Sequence, residues 1–315
     1  IVAACSPRMH EPTFRKCVAE AGLNPYLFEM ANIREHCSWC HPHAGEAANE
    51  KAKDLIASAV AKARLLQPLT EIEVPVEQSA LVIGGGVSGI QAALDLSDMG
   101  FDVYLVEREP SIGGRMAQLD KTFPTLDCSI CILGPLMVDV SRRENVKLLA
   151  YSEVDRVDGY VGNFQVRVVR RPQYVDPSKC NACGECAKVC PVDVPNEFEA
   201  GLSWRKAIYT PFPQAVPASY VLDDRDCLGL VPLACSKCRE ACDKSGAQAI
   251  NYDARPDVVE FKVGTIIVAT GYDLLDASAV KEYGYGVYPN VMTCLELERM
   301  INAAGPTGGK VIRPL

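Results

Sequence analysis

The chain opens on a short apolar run, Ile1–Ala4, that reads as a strand. Helical patterns follow, the clearest from Glu46 to Leu66, rich in Ala, Lys and Leu and stopped at Pro68. Residues 67–78 carry Pro68 and Pro75 and read as a connector. From residue 79 the pattern becomes α/β: Ala80-Leu81-Val82-Ile83 is a strand, 87–99 a helix and Phe101–Val106 a second strand. Residues 146–171 supply short alternating β segments such as Phe164-Gln165-Val166-Arg167-Val168. Between 172 and 253 the periodicity fails, and prolines and eight cysteines replace it. Such a stretch buries little apolar surface and needs another source of stability. Gly264–Gly271 is again a buried type of strand, so the α/β unit resumes after the interruption. The organisation predicted is a small N-terminal α/β domain at 1–70, an α/β domain at 79–171 continued at 254–315, and an inserted α+β domain at 172–253. No internal repeat of solenoid length is visible.

Gly84-Gly85-Gly86-Val87-Ser88-Gly89 follows the first strand and opens the first helix of the α/β unit, matching G-x-G-x-x-G. Gly84 permits the tight turn, Gly86 lets backbone approach a pyrophosphate, and Gly89 permits close packing. The phosphates would meet the free N–H groups at the helix start. Alone the motif is weak, since glycine triplets also occur in plain turns. Here the next strand runs to Glu107, an acid placed to accept from ribose hydroxyls. Ser111-Ile112-Gly113-Gly114-Arg115 and the later Thr265-Ile266-Ile267-Val268-Ala269-Thr270-Gly271 resemble signatures of two-dinucleotide-binding flavoproteins. They favour FAD over NAD and add Gly114, Arg115 and Gly271 to the flavin-binding residues.

Cys180-x2-Cys183-x2-Cys186-x3-Cys190-Pro191 has the spacing of a bacterial ferredoxin run. A second set, Cys227-x7-Cys235-x2-Cys238-x3-Cys242, is looser. In two-cluster ferredoxins the fourth cysteine of a run serves the other cluster. Cys180, Cys183, Cys186 and Cys242 are therefore expected around one [4Fe–4S] cluster, and Cys190, Cys227, Cys235 and Cys238 around the other. Zinc also uses C-x2-C pairs, but successive two-residue spacings ending in C-x3-C-P favour iron–sulfur. Cys37-x2-Cys40 and Cys128-x2-Cys131 are further pairs, with Cys5, Cys17 and Cys294 as the remaining thiols. The Cys128 pair reads as part of a third [4Fe–4S] site, as a redox dithiol beside a flavin, or as a zinc site.

Fifteen cysteines, odd in number and tightly grouped, do not fit a secreted disulfide framework and point to the cytoplasm. A formal charge of −8 argues against nucleic acid as a partner. No apolar run has the roughly 20 residues needed to span a membrane. With no initiating Met and a final turn leading into Lys310-Val311-Ile312, the chain reads as an internal piece of a longer protein.

Taken in order, Ala4-Cys5-Ser6-Pro7-Arg8-Met9-His10-Glu11-Pro12-Thr13-Phe14-Arg15, Glu29-Met30-Ala31-Asn32-Ile33-Arg34-Glu35-His36-Cys37-Ser38-Trp39, Asp127-Cys128-Ser129-Ile130-Cys131, Trp204-Arg205-Lys206-Ala207-Ile208-Tyr209 and Pro213-Gln214-Ala215-Val216-Pro217 resemble the A subunit of heterodisulfide reductases. The resemblance runs through the whole chain. It implies a Rossmann-like FAD-binding domain of the two-dinucleotide-binding flavoprotein type with an inserted two-cluster ferredoxin-like domain. It further implies a cytoplasmic electron-transfer subunit of methanogenesis, in a complex that reduces the CoM-S-S-CoB heterodisulfide. Electrons would come from a hydrogenase or formate dehydrogenase. FAD would split them between ferredoxin and the B and C subunits, where the disulfide site lies. A homodimer within the larger complex is expected.

The resemblance also implies an unusual cluster with ligands from the N-terminal domain, carried here onto Cys5, Cys37, Cys128 and Cys131. Cys40 departs from it, standing where the family is expected to be apolar. The family's C-terminal ferredoxin domain is missing, so the fragment alone is not expected to be competent. The alternatives are a redox subunit of related sulfur metabolism, an NAD(P)H oxidoreductase subunit like the small subunit of glutamate synthase, and a zinc-stabilised scaffold. The glutamate synthase type carries its cysteines ahead of the flavin domain, which disfavours it.

Overall fold

The computed structural model describes residues 1–230 and 233–312, in two compact units, Ile1–Val74 and Pro75–Leu315. In the first unit β1 (Val2–Ala4) is followed by α1 (Pro7–Glu20) and then β2 (Met30–Asn32), which pairs parallel to β1. The proline at the start of α1 suits a first turn whose N–H groups have no partner in the helix. A π-helical turn, Arg34–Ser38, carries Cys37, and α2 (Glu46–Ala63) ends the unit's regular structure. Phe28, Met30, Ala31 and Cys37 are buried there.

The second unit begins with β3 (Ser79–Ile83), α3 (Val87–Asp98) and β4 (Asp102–Val106), close to the ranges the apolar pattern predicts. Then come α4 (Ser129–Arg142), β5 (Val146–Leu149), β6 (Ser152–Tyr160) and β7 (Asn163–Arg170). Among its described residues the cysteine-rich stretch holds short pieces: α5 (Glu185–Lys188), β8 (Asp193–Pro195), β9 (Trp204–Lys206), β10 (Ile208–Tyr209), β11 (Val221–Leu222) and α6 (Lys237–Lys244). After it come β12 (Asp257–Val263), β13 (Thr265–Val268) and α7 (Cys294–Ile301).

The order β13-β3-β4-β5 makes a parallel sheet, so a strand from beyond the cysteine-rich stretch pairs directly with β3. Both faces of this sheet are covered, which explains why its strands read as continuous apolar runs. Val82, Val103, Leu105 and Val146 pack with Ile90, Leu133 and Met137 of α3 and α4. Leu81, Val106 and Leu149 face the other way, onto Val166, Val168, Phe261 and Val263 of an antiparallel sheet ordered β12-β7-β6. Tyr104 stacks on Phe261 there, with ring centroids 3.8 Å apart.

The stretch 172–253 is not uniform. Its two ends form a small core of Val175, Ile208, Leu222 and Ile250 with Cys186, Cys227, Cys238 and Cys242. Its middle docks instead into the flavin-type core, to which Phe212, Ala215 and Val216 belong. The main chain of Val216 is held by Ser111 Oγ, which accepts from its N–H at 2.9 Å, and its carbonyl accepts from Ile112 N at 3.1 Å. Arg299 of α7, 3 % exposed, ties the same region together. Its guanidinium donates from Nε and Nη2 to Glu199 at 2.8 and 3.0 Å, and from Nη1 to the Gln118 carbonyl at 2.9 Å.

Removing one partner of a buried ion pair leaves the other uncompensated, at about 3–5 kcal/mol. Arg299→Met is expected to lose stability of that order, read as a lowered midpoint in chemical denaturation. An unchanged midpoint would mean that the carboxylate of Glu199 rehydrates freely.

Candidate functional site

The glycine loop sits at the carboxyl end of β3 because its neighbours leave no room for side chains. A Cβ on Gly84 would lie 2.3 Å from the Ala269 carbonyl oxygen, and one on Gly89 1.8 Å from the Gly84 oxygen. Gly84 also has φ +105°, a region L side chains rarely adopt. Gly86 differs: it precedes α3 with φ −74°, and a Cβ there would meet nothing within 4 Å. That open face lies at the start of α3, where no side chain caps the free N–H groups.

The second strand and the later motif close around this loop. Glu107 Oε2 accepts from Gly85 N at 2.6 Å and Oε1 from Glu109 N at 2.8 Å. Burial pushes the Glu107 carboxyl above its ordinary value, and those two N–H donors pull it partly back. Gly113 N donates to the Gly85 carbonyl at 2.7 Å, and a Cβ on Gly114 would come within 3.0 Å of Gly86 Cα. Arg115 donates to Gln118 Oε1 at 3.0 Å. Gly271 has φ +74° and is exposed, two residues beyond the Ala269 backbone that touches Gly84. An open cradle of backbone N–H groups beside a half-buried acid fits a dinucleotide pyrophosphate and ribose. Gly85 and Ile112, which the motif reading leaves out, belong to its wall: a Cβ on Gly85 would meet Ile112 Cγ2 at 2.5 Å.

The eight cysteines of the 172–253 stretch line two hollows. Cys180, Cys183, Cys186 and Cys242 border one, with Tyr220 and Ile250. Cys190, Cys227, Cys235 and Cys238 border the other, with Ile208, Lys237 and Tyr252. The crossing follows from helix geometry. Cys238 and Cys242 lie on one face of α6, four residues apart, which is about 6 Å along the axis. One sulfur therefore meets each hollow. Cys186 on α5 and Cys190 just beyond it do the same in the opposite sense.

Backbone donors already point at these sulfurs. Tyr220 N donates to Cys180 at 3.5 Å, Ala249 N to Cys242 at 3.3 Å and Gly229 N to Cys227 at 3.3 Å. Burial, with neighbouring sulfurs adding to it, pushes the Cys186 thiol up to about 12. Metal bonding of such thiols therefore has to displace their protons. Among the described residues no three His, Cys, Asp or Glu side chains gather as ligands of a single metal ion. Four sulfurs around each hollow suit a [4Fe–4S] cluster, which the four thiolates would hold.

Cys128 caps the start of α4, and its Sγ is bonded to that of Cys131 one turn on. Cys131 is exposed and Cys128 partly so. This disulfide is the arrangement the redox-dithiol alternative expects; a cluster at the pair needs both thiols reduced. Cys5 and Cys37 lie in the first unit, Cys5 accepting from Arg34 Nη1 at 3.3 Å and Cys37 buried, its Sγ 3.0 Å from the Ala48 carbonyl. Cys17, Cys40 and Cys294 are exposed free thiols.

Residues 80–127 match the family of FAD dependent oxidoreductases, and residues 174–196 match the 4Fe-4S binding domain. The chain thus combines a mixed α/β fold with a stretch of the FAD dependent oxidoreductase family and one of the 4Fe-4S binding domain, which give FAD and [4Fe–4S] as its cofactors. It is homologous over its full length to the A subunits of CoB–CoM heterodisulfide reductases. It is 65 % identical over 314 residues to the second iron-sulfur A subunit of the CoB–CoM heterodisulfide reductase of Methanopyrus kandleri, covering 100 % of this chain and 47 % of that protein. The A subunit of the H(2):CoB-CoM heterodisulfide,ferredoxin reductase of Methanothermobacter marburgensis is 59 % identical over 100 % of this chain and 46 % of its own. The A subunit of the ferredoxin/F(420)H(2)-dependent CoB-CoM heterodisulfide reductase of Methanosarcina acetivorans is 50 % identical over 100 % and 39 %. The chain spans about half, or less, of the length of these relatives. No described helix is long and apolar enough to cross a membrane.

Proposed function

We propose that this chain is the flavin and electron-relay part of a heterodisulfide reductase A subunit. The observation that carries the reading is the crossed lining of the two hollows, four cysteines to each, together with an open glycine cradle in the same unit. Gly84, Gly86, Gly89, Glu107, Gly114, Arg115 and Gly271 would hold FAD, with the pyrophosphate over Gly86 and the start of α3. The two cysteine quartets would each hold a [4Fe–4S] cluster. FAD supplies the exchange between two-electron and one-electron chemistry, and each cluster accepts one electron at a time. The protein positions the groups, buries them and aims N–H donors at the sulfurs. No side chain is needed as acid, base or nucleophile.

Relatives named for H2 or formate, for F420H2 and for ferredoxin support a role between such donors and the disulfide-reducing B and C type subunits. The heterodisulfide itself would be reduced elsewhere in the complex. Splitting of electron pairs between ferredoxin and the B and C branch, a cytoplasmic location and a homodimeric complex complete the proposal.

The test is iron, sulfide, zinc and flavin per chain on anaerobically purified protein. About eight irons with one FAD are expected from the two quartets. About twelve would add a third cluster on Cys5, Cys37, Cys128 and Cys131. The disulfide favours a second reading for Cys128 and Cys131, a redox dithiol, which predicts eight irons and two thiols released on mild reduction. Zinc in place of iron overturns the electron-transfer reading.

A further inference from the structure

The two hollows are lined alike in cysteines but not in donors. Around the first, no side chain among the described residues donates to a sulfur, and backbone N–H groups do so, among them those of Tyr220 and Ala249. Around the second, Gly229 N reaches Cys227, and a side chain joins it: the Tyr252 hydroxyl lies 2.9 Å from Cys238 Sγ. A metal-bound cysteine is a thiolate with no proton to give, so in the loaded protein the phenol must donate. The Tyr252 ring is itself covered by Arg239, whose guanidinium carbon stands 4.3 Å from the ring centroid. Arg239 Nε is buried and has no hydrogen-bond partner among the described residues, so the cation lies on the ring rather than in an ion pair through that nitrogen. A cation over the ring draws charge from it and strengthens the O–H as a donor.

The geometry points to Tyr252 as a positioning residue that raises the reduction potential of the cluster held by Cys190, Cys227, Cys235 and Cys238 above that of its neighbour. The inference rests on the two-cluster reading. When such a cluster gains one electron its added charge spreads onto the ligand sulfurs, and a donor aimed at a sulfur stabilises that state over the oxidised one. No bond breaks and the phenol keeps its proton. An electron entering at the first cluster then settles on the second, which gives the relay a direction.

The experiment is Tyr252→Phe in the full chain, with each cluster followed by electron paramagnetic resonance during a redox titration. The ring stays, so the hollow keeps its wall. The second cluster is expected to fall in potential while the first is unmoved, changing the equilibrium for sharing an electron about tenfold, or about 59 mV for a one-electron couple. Arg239→Gln should give a smaller shift of the same sign. Full iron content with neither potential moved overturns the inference, as does an equal shift in both. Loss of about four irons in Tyr252→Phe also overturns it, because Tyr252 would then be holding the fold. Wild-type protein that binds no second cluster sinks the two-cluster reading instead, and the iron count alone detects that.

Discussion

Gly86→Val is expected to purify folded, with its iron intact and its flavin gone. The two halves of that result have separate causes. A Cβ at Gly86 meets nothing within 4 Å and the residue has φ −74°, so the fold tolerates a side chain there. The space it enters is the open face over the start of α3, where a pyrophosphate would take the free N–H groups. Two methyl groups in that cradle hold phosphate away from the donors. Occupancy should fall at least about tenfold, which requires a loss of only about 1.4 kcal/mol. Flavin released by acid and measured against protein and iron reads the outcome. Gly89→Val is the contrast, since its Cβ would lie 1.8 Å from the Gly84 oxygen, and backbone there cannot give way cheaply. That variant should lose thermal stability along with flavin. Full flavin in Gly86→Val would sink the cradle assignment while leaving the cysteine assignments untouched.

How much of this was visible beforehand depends on how local each signal is. The strand–loop–helix of β3 and α3 was legible because a strand buried on both faces is apolar at every position, and because the glycine spacing lies within a single turn. The cysteine partition proposed here comes from the pairing rule of two-cluster ferredoxins, and the helix geometry agrees with it: a rise of about 6 Å over four helical residues carries the sulfurs of a C-x3-C spacing to two hollows. Helix α4 was not foreseen, since Gly134-Pro135 reads as a breaker. Yet Leu133, Met137 and Val140, all fully buried, carry the helical spacing on its inner face. The docking of Phe212, Ala215 and Val216 into the flavin-type core was also hidden. Those residues sit in a proline-rich loop with no period, and their partner, Ser111, lies in a remote part of the chain. Tyr252 and Arg239 meet only through the fold, and no spacing rule brings them to a cysteine. The Cys128 pair shows the same limit: its spacing suits a cluster, a dithiol or zinc, and only geometry distinguishes the disulfide.

The crossed assignment of cysteines makes a sharper demand than the iron count. Cys242→Ser and Cys183→Ser should each remove about four irons, and they should remove the same four, because both residues border the same hollow. Cys190→Ser should remove the other cluster, although Cys190 belongs to the run that contains Cys183. The double variants then separate the two possibilities. Cys183→Ser with Cys242→Ser is expected to keep about four irons, whereas Cys183→Ser with Cys190→Ser should keep none. An assignment by sequence run predicts the reverse, with Cys183 and Cys190 sharing a cluster. The buried position of Cys242, beside Ile250 in the small core, means that its serine variant also loses apolar packing. A fall in stability alone would therefore not discriminate. Iron per chain, with the surviving cluster identified by its own paramagnetic signal in both double variants, does: the survivor in Cys183→Ser with Cys242→Ser must be the cluster whose wall contains Tyr252. If that protein proves iron-free while the other double variant stays half loaded, the partition is by run and the geometry of α5 and α6 has been misread.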